Sequence, residues 1–372
     1  MNQSKAISKV NLSSAPWAMH EFFAGSGLVA YGLKGMFHPI WSNDICSKKA
    51  EVYHANFDDK HFVLDDIKNI SGNALPFAHL SWASFPCQDL SLAGSMNGID
   101  AKRSGLVWEW LRILREMTQR PSLLLMENVI GLLSSNNGAN YTKLHNALLE
   151  LGYKSGAIVI DASLFVPQSR PRVFVIAVKN SIQIPDDLHD NVNNWLHSKA
   201  AVKLGTTLPD WIWWRAKEPP KRKSNLIDMI DFNLPCNKDY VLHHIPPHHQ
   251  KILASYSDCV AAGYRRIRNH KQCLELRFDG LAGCLRTPEG GSSKQFLIIK
   301  QNKETHARVL SPREAARLMG APDTFALPEN ENSAYKAMGD AVALPVASFI
   351  GKNFLKPLAE VIYNEKQFRK TA

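Results

Sequence analysis

Three short stretches of this chain could carry out covalent chemistry together. In Ser84-Phe85-Pro86-Cys87-Gln88-Asp89 a thiol directly follows a proline, at the end of the apolar run Leu80 to Phe85. A second apolar run, Leu123 to Met126, ends in Glu127-Asn128-Val129, and a third segment reads Gln168-Ser169-Arg170-Pro171-Arg172-Val173. A lone cysteine is more often a buried small hydrophobe than a reagent. Here Pro86 restrains the backbone ahead of the thiol, and the polar Gln88-Asp89 turns it toward a cleft. A nucleophile, a carboxyl and a guanidinium at strand edges suit attack on an electron-poor heterocycle.

The elements that must position these groups alternate between strand and helix. Met19 to Phe23 reads as a short buried strand, Ala24-Gly25-Ser26-Gly27 as a tight turn, and Leu28 onward as a helix. Pro39 to Asn43 is a strand ending at Asp44, and His61 to Leu64 is a strand ending in Asp65-Asp66. Trp108 to Met117 and Lys143 to Leu151 read as helices, the latter stopping at Gly152. Such alternation implies parallel βαβ units and a sheet covered on both faces. Ligands of such sheets bind beyond the carboxyl ends of the strands, where the glycine turn, Asp44, Asp66, Cys87 and Glu127 all fall. The turn lacks the third glycine of a dinucleotide fingerprint, Leu28 following Gly27 instead, so it is a weak signal by itself. Asp44 is suited to accept hydrogen bonds from ribose hydroxyls and Asp66 from an adenine amine. Both NAD and S-adenosylmethionine satisfy that description.

The 372 residues allow two domains, and 45% hydrophobic with 21% charged residues is ordinary for a globular protein. No apolar run of about 18 residues is present, which excludes a membrane span. Residues 1–16 are polar and lack the apolar core of an export signal, so a cytoplasmic location is expected. The net charge of +10 fits a polyanionic partner. None of the six cysteines forms a Cys-x-x-Cys pair, so reduced thiols and no metal are expected. His243, His244, His248 and His249 surround Pro246-Pro247, which argues for a polar loop there instead of a ligating helix. Beyond Val178 the chain becomes rich in Trp, His, Pro, Lys and Arg without regular alternation. This divides it into 1–180, a smaller domain over 181–305, and a return to the first domain over 306–372. Trp211-Ile212-Trp213-Trp214 reads as core of the smaller domain. Ser311-Pro312-Arg313-Glu314 has the pattern of a capping box opening a helix that ends at Gly320.

Taken in order, these motifs resemble those of the DNA (cytosine-5)-methyltransferases of prokaryotic type. The matching stretches are Phe23-Ala24-Gly25-Ser26-Gly27, Phe85-Pro86-Cys87-Gln88, Arg103-Ser104-Gly105-Leu106, Glu127-Asn128-Val129, Gln168-Ser169-Arg170-Pro171-Arg172, Arg313 to Gly320 and Met338-Gly339-Asp340-Ala341-Val342. Three positions depart from the family's pattern: Glu21, Leu28 and Asp340. The resemblance implies a Rossmann-like α/β methyltransferase sheet with a smaller target-recognition domain. It implies S-adenosylmethionine as cofactor and S-adenosylhomocysteine as product. Phe23, Gly25, Gly27, Asp44, Ile45, Asp66, Ile67, Pro86, Leu106, Asp340, Ala341 and Val342 would line its pocket. Cys87 would attack carbon 6 of a flipped cytosine, Glu127 would hold ring N3 and the exocyclic amine, Arg172 would bind O2, and Arg170 would support Glu127 or a nearby phosphate. Gln88, Ser91, Arg286 and Thr287 would contact DNA, and Gln88 to Asp100 has the composition of a closing loop.

The implied partner is double-stranded DNA bound by a monomer associated with the nucleoid, with a cognate restriction endonuclease as a functional counterpart. A tRNA cytosine-5 methyltransferase of the same fold is the alternative, which the long basic middle segment disfavours. The tetrapeptide of exocyclic-amine methyltransferases is missing, since Pro219-Pro220 and Pro246-Pro247 stand in the wrong context. A catalytically silent DNA-binding module would have no use for the intact reactive trio.

Overall fold

The computed structural model describes residues 9–13, 15–58, 60–86, 105–268, 270–287 and 294–371, with side chains through 364. These fall into two compact units. The larger comprises the described residues up to Ile160, Pro171–Pro219 and the chain from Val346 onward; the smaller comprises Asp161–Arg170 and Pro220–Pro345. The expected boundaries near 181 and 306 thus lie inside the two units: 181–219 sits in the larger, 306–345 in the smaller.

The larger unit is built on strands β1 (Trp17–Phe22), β2 (Phe37–Asp44), β3 (Phe62–Leu64), β4 (Leu80–Ala83), β5 (Leu123–Asn128), β6 (Tyr153–Asp161) and β7 (Pro171–Lys179). They form one sheet in the order β3-β2-β1-β4-β5-β7-β6. The pairs β2–β3, β1–β2, β1–β4 and β4–β5 are parallel, and β7 runs antiparallel to β5. Every residue of β4 and β5 is buried, as expected for strands covered on both faces. The helix Leu106–Glu116 places Val107, Trp110, Leu111, Ile113 and Leu114 against the sheet on one apolar stripe. The helix Ala139–Glu150 closes at Gly152, which adopts φ 83°.

Two sequence expectations change here. Trp211 to Trp214 belong to the core of the larger unit, not of the smaller one. Two short strands, β8 (His189–Asp190) and β9 (Trp213–Trp214), pair with each other; Ile212 bonds to Ser155 on β6, and Trp211 packs edge-on to Tyr141 at 5.6 Å. Long-range packing against β6 and the helix Ala139–Glu150 decides their home. The second change concerns Pro246-Pro247. Pro247 opens the helix Pro247–Ser255, because its missing amide costs nothing at a first helical position. His249 accepts the Leu276 amide through Nδ1 at 3.1 Å, a fold-holding bond.

The smaller unit carries an antiparallel sheet of β10 (Cys259–Arg268), β11 (Lys271–Arg277), β12 (Phe296–Gln301) and β13 (Glu304–Val309), in the order β11-β10-β12-β13. Leu274, Leu276, Phe296 and Ile298 form its core with Val241, Ile245 and Leu253. The capping box forms as expected: Ser311 Oγ accepts from the Glu314 amide, and the Glu314 carboxylate accepts the Ser311 amide, opening the helix Pro312–Leu318. Among the described residues no helix is long and apolar enough to cross a membrane.

Candidate active site

Because β1, β2, β4 and β5 are parallel, their carboxyl ends share one rim of the larger unit. After β1 the chain enters Phe23 at φ 57° and then the glycine turn, with Gly25 at φ 59° and Gly27 at φ 80°. A bulky side chain in the left-handed region is strained, and such strain concentrates at functional sites. The two glycines serve different ends. A side chain at Gly27 would strike Phe57 at 2.3 Å and Tyr53 at 2.9 Å, so this glycine lets the turn pack on an aromatic floor. A side chain at Gly25 would meet only ordinary contacts among the described residues, the Phe23 carbonyl at 3.9 Å and the Lys49 side chain at 4.0 Å, so its demand for glycine comes from the positive φ.

Asp44 fixes that turn. Its carboxylate accepts the Gly25 amide at 2.9 Å and the Cys46 amide at 2.8 Å, tying the loop to the end of β2 and to the start of the helix Ser47–Asn56. Two amides use about half of the roughly four acceptor positions of a carboxylate. Ile45, next along, is 68% exposed. Asp66 caps a short turn by accepting the Lys68 amide at 3.0 Å. The Ile67 side chain is buried in the core, so it offers the rim only its backbone. Leu106 is half-buried against the same core. Beneath the turn, Glu21 is fully buried with neither carboxylate oxygen in hydrogen-bond geometry. Burial pushes its pKa up to about 8; the Ala30 amide offsets part of this and the nearby Asp44 charge adds to it. Glu21 is therefore mainly a neutral acid at neutral pH.

At the exit of β5, Glu127 pairs with Arg172 from β7, Nε to Oε1 at 3.1 Å, with the side chains 9% and 16% exposed. The antiparallel register sets Asn128 opposite Val173 and Glu127 opposite Phe174, which brings Arg172 alongside the strand end. The neighbouring Asn128, part of the Glu127-Asn128-Val129 motif, is a positioning residue whose role the sequence does not assign. Its Nδ2 donates to Phe85 O at 3.0 Å, while its Oδ1 receives the Val129 amide at 2.9 Å. It thereby pins the exit of β4, just ahead of the half-buried Pro86, to the exit of β5. Cys87, Gln88 and Ser91 lie outside the described residues.

Arg170 differs from the expectation that it supports Glu127 or a phosphate. It is buried in the smaller unit, where its guanidinium donates to the carbonyls of Leu285 (2.9 Å), Gly339 (2.8 Å) and Ala341 (2.7 Å). Gln168 works beside it, donating to Leu318 O and accepting the Leu285 amide. Carbonyls satisfied by a planar, always-charged fork make Arg170 a brace. Gly339 belongs to the same knot: a side chain there would meet the Arg286–Thr287 peptide at 2.7–2.9 Å. Thr287 donates its hydroxyl to Asp340, Arg286 is exposed, and Val342 is buried. Asp340, Ala341 and Val342 are thus positioned by the smaller unit together with Arg286 and Thr287.

The family model for C-5 cytosine-specific DNA methylases matches residues 17–356. The chain belongs to that family. As a C-5 cytosine-specific DNA methylase it is a DNA (cytosine-5)-methyltransferase, with the mixed α/β fold and S-adenosylmethionine dependence that the family implies. It is 28% identical over 344 residues to the type II methyltransferase M.Bsp6I of Bacillus sp. (strain RFL6), covering 90% of this chain and 98% of that one. Against M.HhaI of Haemophilus parahaemolyticus it is 27% identical over 342 residues, covering 90% and 92%. Among solved structures, the S. pombe Dnmt2 methyltransferase superposes with a TM-score of 0.62 at 18% identity, covering 92% of this methylase and 99% of that chain, a likeness of fold.

Proposed function

We propose that this methylase modifies carbon 5 of one cytosine within a specific duplex sequence, by covalent attack of Cys87 on carbon 6 of a base swung out of the helix. Carbon 5 of cytosine is too weak a nucleophile to take a methyl group unaided. As the Cys87 sulfur bonds to carbon 6, the ring loses its conjugation and carbon 5 becomes enamine-like. Glu127 holds N3 and the exocyclic amine and supplies a proton to N3, offsetting the negative charge that develops there. Arg172 fixes Glu127 and binds O2. S-adenosylmethionine supplies the methyl as an electrophilic sulfonium and leaves as S-adenosylhomocysteine. Loss of the carbon 5 proton to water, return of the N3 proton to Glu127 and departure of the Cys87 sulfur as thiolate restore the aromatic ring.

The Glu127–Arg172 pair carries this reading, standing beside the strand exit that Asn128 pins ahead of Pro86. The rim also fits the cofactor. The Gly25 turn is uncrowded, Asp44 keeps acceptor positions for ribose hydroxyls, and Ile45 presents an exposed apolar face suited to adenine. Of residues 181–305, the part from Pro220 onward, which lies in the smaller unit, supplies target recognition, with Arg286 and Thr287 near the base. The enzyme acts as a monomer on nucleoid DNA in a restriction-modification setting.

The test is transfer of labelled methyl from S-adenosylmethionine to DNA and, in parallel, to tRNA. Label should enter DNA, and Cys87→Ser should abolish nearly all of it while leaving DNA binding intact. Label confined to tRNA, or substantial DNA methylation by Cys87→Ser, overturns the proposal.

A further inference from the structure

One glycine of the smaller unit has its backbone held by two side chains instead of by a neighbouring strand. β10 and β12 pair as far as Gly263 opposite Phe296, and the next step of that register sets Tyr264 opposite Gln295. Both side chains reach Gly283. Gln295 uses each end of its amide: Nε2 donates to the Gly283 carbonyl at 2.8 Å, and Oε1 accepts the Gly283 amide at 3.1 Å. The Tyr264 hydroxyl donates to the same Oε1 at 2.9 Å and accepts the Gly283 amide in turn. Only one orientation of the Gln295 amide satisfies these partners together. Burial pushes the Tyr264 hydroxyl up to about 12, so it keeps the proton that it donates. A side chain at Gly283 would meet the Tyr264 ring, Cζ at 2.7 Å, so only glycine fits there. Gln295 is 4% exposed and Gly283 is buried, so water does not replace these bonds.

Gly283 lies in the stretch that ends in Arg286 and Thr287. The Gln168-Ser169-Arg170 motif holds that stretch at the positions on either side. The Ala282 amide donates to the Pro167 carbonyl at 2.8 Å, and the Ser169 amide to the Ala282 carbonyl at 2.9 Å. The Leu285 amide donates to Gln168 at 3.1 Å, and the Leu285 carbonyl accepts from Arg170 at 2.9 Å. Arg286 and Thr287 follow directly, with the Thr287 hydroxyl on Asp340. The motif thus ties the stretch at Ala282 and Leu285, and the clamp of Gln295 and Tyr264 ties it at Gly283 to the antiparallel sheet. An apolar side chain at position 295 would fill the same space. An amide matched at both ends to one peptide also fixes where that peptide lies.

Resting on the methyl-transfer reading above, in which Arg286 and Thr287 stand near the target base, we infer that Gln295, with Tyr264, is a positioning residue for the reaction. Through the Gly283 peptide it sets the stretch that carries Arg286 and Thr287, and it makes that placement depend on the antiparallel sheet. Gln295 itself touches neither DNA nor cofactor in this role. A misplacement of about 1 Å in a group that orients substrate can cost about a hundredfold in rate. Loss of the clamp therefore lowers the rate at saturation and leaves binding of DNA and of cofactor close to wild type.

The test uses the full chain and three variants: Gln295→Met, which keeps the shape and loses both bonds, Gln295→Glu, and the milder Tyr264→Phe. Hydrogen exchange of the free protein is read first, on the peptide covering 282–287. Gln295→Met should speed exchange there at least tenfold, with other peptides unchanged. Transfer of labelled methyl to unmethylated genomic DNA is read second, at saturating DNA and S-adenosylmethionine and per folded molecule. It should fall about ten- to a hundredfold in Gln295→Met and less in Tyr264→Phe, with both half-saturating concentrations within about threefold of wild type. Gln295→Glu supplies the sharpest reading. Its carboxylate only accepts, whereas its protonated form has a donor and an acceptor like the amide it replaces. Its rate relative to wild type should therefore rise as pH falls from about 8 to about 6. Wild-type exchange in Gln295→Met, a saturated rate per folded molecule equal to wild type, or a Gln295→Glu ratio independent of pH overturns the inference. If Gln295→Met does not fold, the other two variants decide. A wild-type protein that puts no label into DNA fails the catalytic reading instead, and the exchange comparison then decides whether Gln295 holds the stretch.

Discussion

The larger unit sets Arg172 beside Glu127 where the start of β7 meets the end of β5, while the smaller unit sets Arg308 beside Glu314 in its interior. The chemistry of the partners is the same; the first pair, at 9% and 16% exposed, keeps a small opening that the second lacks. Arg308 and Glu314 are 3% and 0% exposed and meet through the two terminal guanidinium nitrogens, at 2.6 and 2.8 Å. Glu314 also receives the amides of Ser311 and Asp231, and Arg308 donates further to the Asp231 carbonyl. Burial pushes the Glu314 carboxyl up, yet the Arg308 and amide hydrogen bonds outweigh it and hold it below the usual carboxylate range. Such a pair locks the helix Pro312–Leu318 to β13. Glu127 and Arg172 instead stand where the end of β5 and the start of β7 open onto the rim, with Arg172 Nε 3.1 Å from Glu127 Oε1. An arginine–glutamate pair therefore says little by itself; its place on the strand, at the end or behind a cap, separates a group that meets a ligand from one that holds a fold.

The sharpest way to break this contrast is to neutralise each acid without changing its shape. Glu127→Gln removes the proton donor for N3. Methyl transfer should fall by about a hundred- to ten-thousandfold, with thermal stability nearly unchanged. A transfer rate within a few-fold of wild type would make Glu127 a structural acid. Glu314→Gln should do the reverse. It strands Arg308 in the interior, and breaking a buried pair in this way costs about 3–5 kcal/mol. Chemical denaturation should register that loss, while transfer per folded molecule stays within a few-fold of wild type.

The two pairs are unequally visible in the sequence. Glu127 ends an apolar run and Arg172 opens one, so local pattern alone puts both at strand edges. Ser311 and Glu314 are legible as a cap because the box is four residues long. Arg308 is not, since the strand carrying it lies in a stretch whose apolar alternation is broken by small and polar residues. Arg170 shows the same limit more clearly. It shares a motif with Arg172, but its partners Leu285, Gly339 and Ala341 lie 115 to 171 residues away, and only the folded chain reveals that it braces them. The apolar pattern of Trp211 to Trp214 identifies core but misplaces it in the smaller unit, because hydrophobicity reports burial and not the partner. Asn128 is visible as a motif residue but its role is not, because an amide at a strand end carries no signal of its partner; its bond to Phe85 O spans 43 residues.

Glu21 supplies a third case, a buried acid with no arginine partner among the described residues. Its pKa, raised by burial to about 8 from 4.5, means that the folded state keeps a proton which the unfolded chain releases. Below pH 4.5 both states are protonated and the residue has no effect on stability. Between 4.5 and 8 the native state binds more protons than the unfolded one, so stability falls as pH rises. The slope is at most about 1.4 kcal/mol per pH unit. Above pH 8 both states are ionised and the slope levels off. Glu21→Gln keeps the shape and removes the titration, so its denaturation midpoint should be flatter across that window and higher than wild type at its alkaline end. Glu314 predicts the opposite sign: its lowered pKa stabilises the fold above the ordinary carboxylate range and gives that stability up as pH falls through its folded value. Identical pH profiles for wild type and Glu21→Gln would mean that Glu21 is ionised in the folded chain and has found a cation. It would then belong with the paired acids, and the glycine turn above it would rest on a charge instead of a neutral carboxyl.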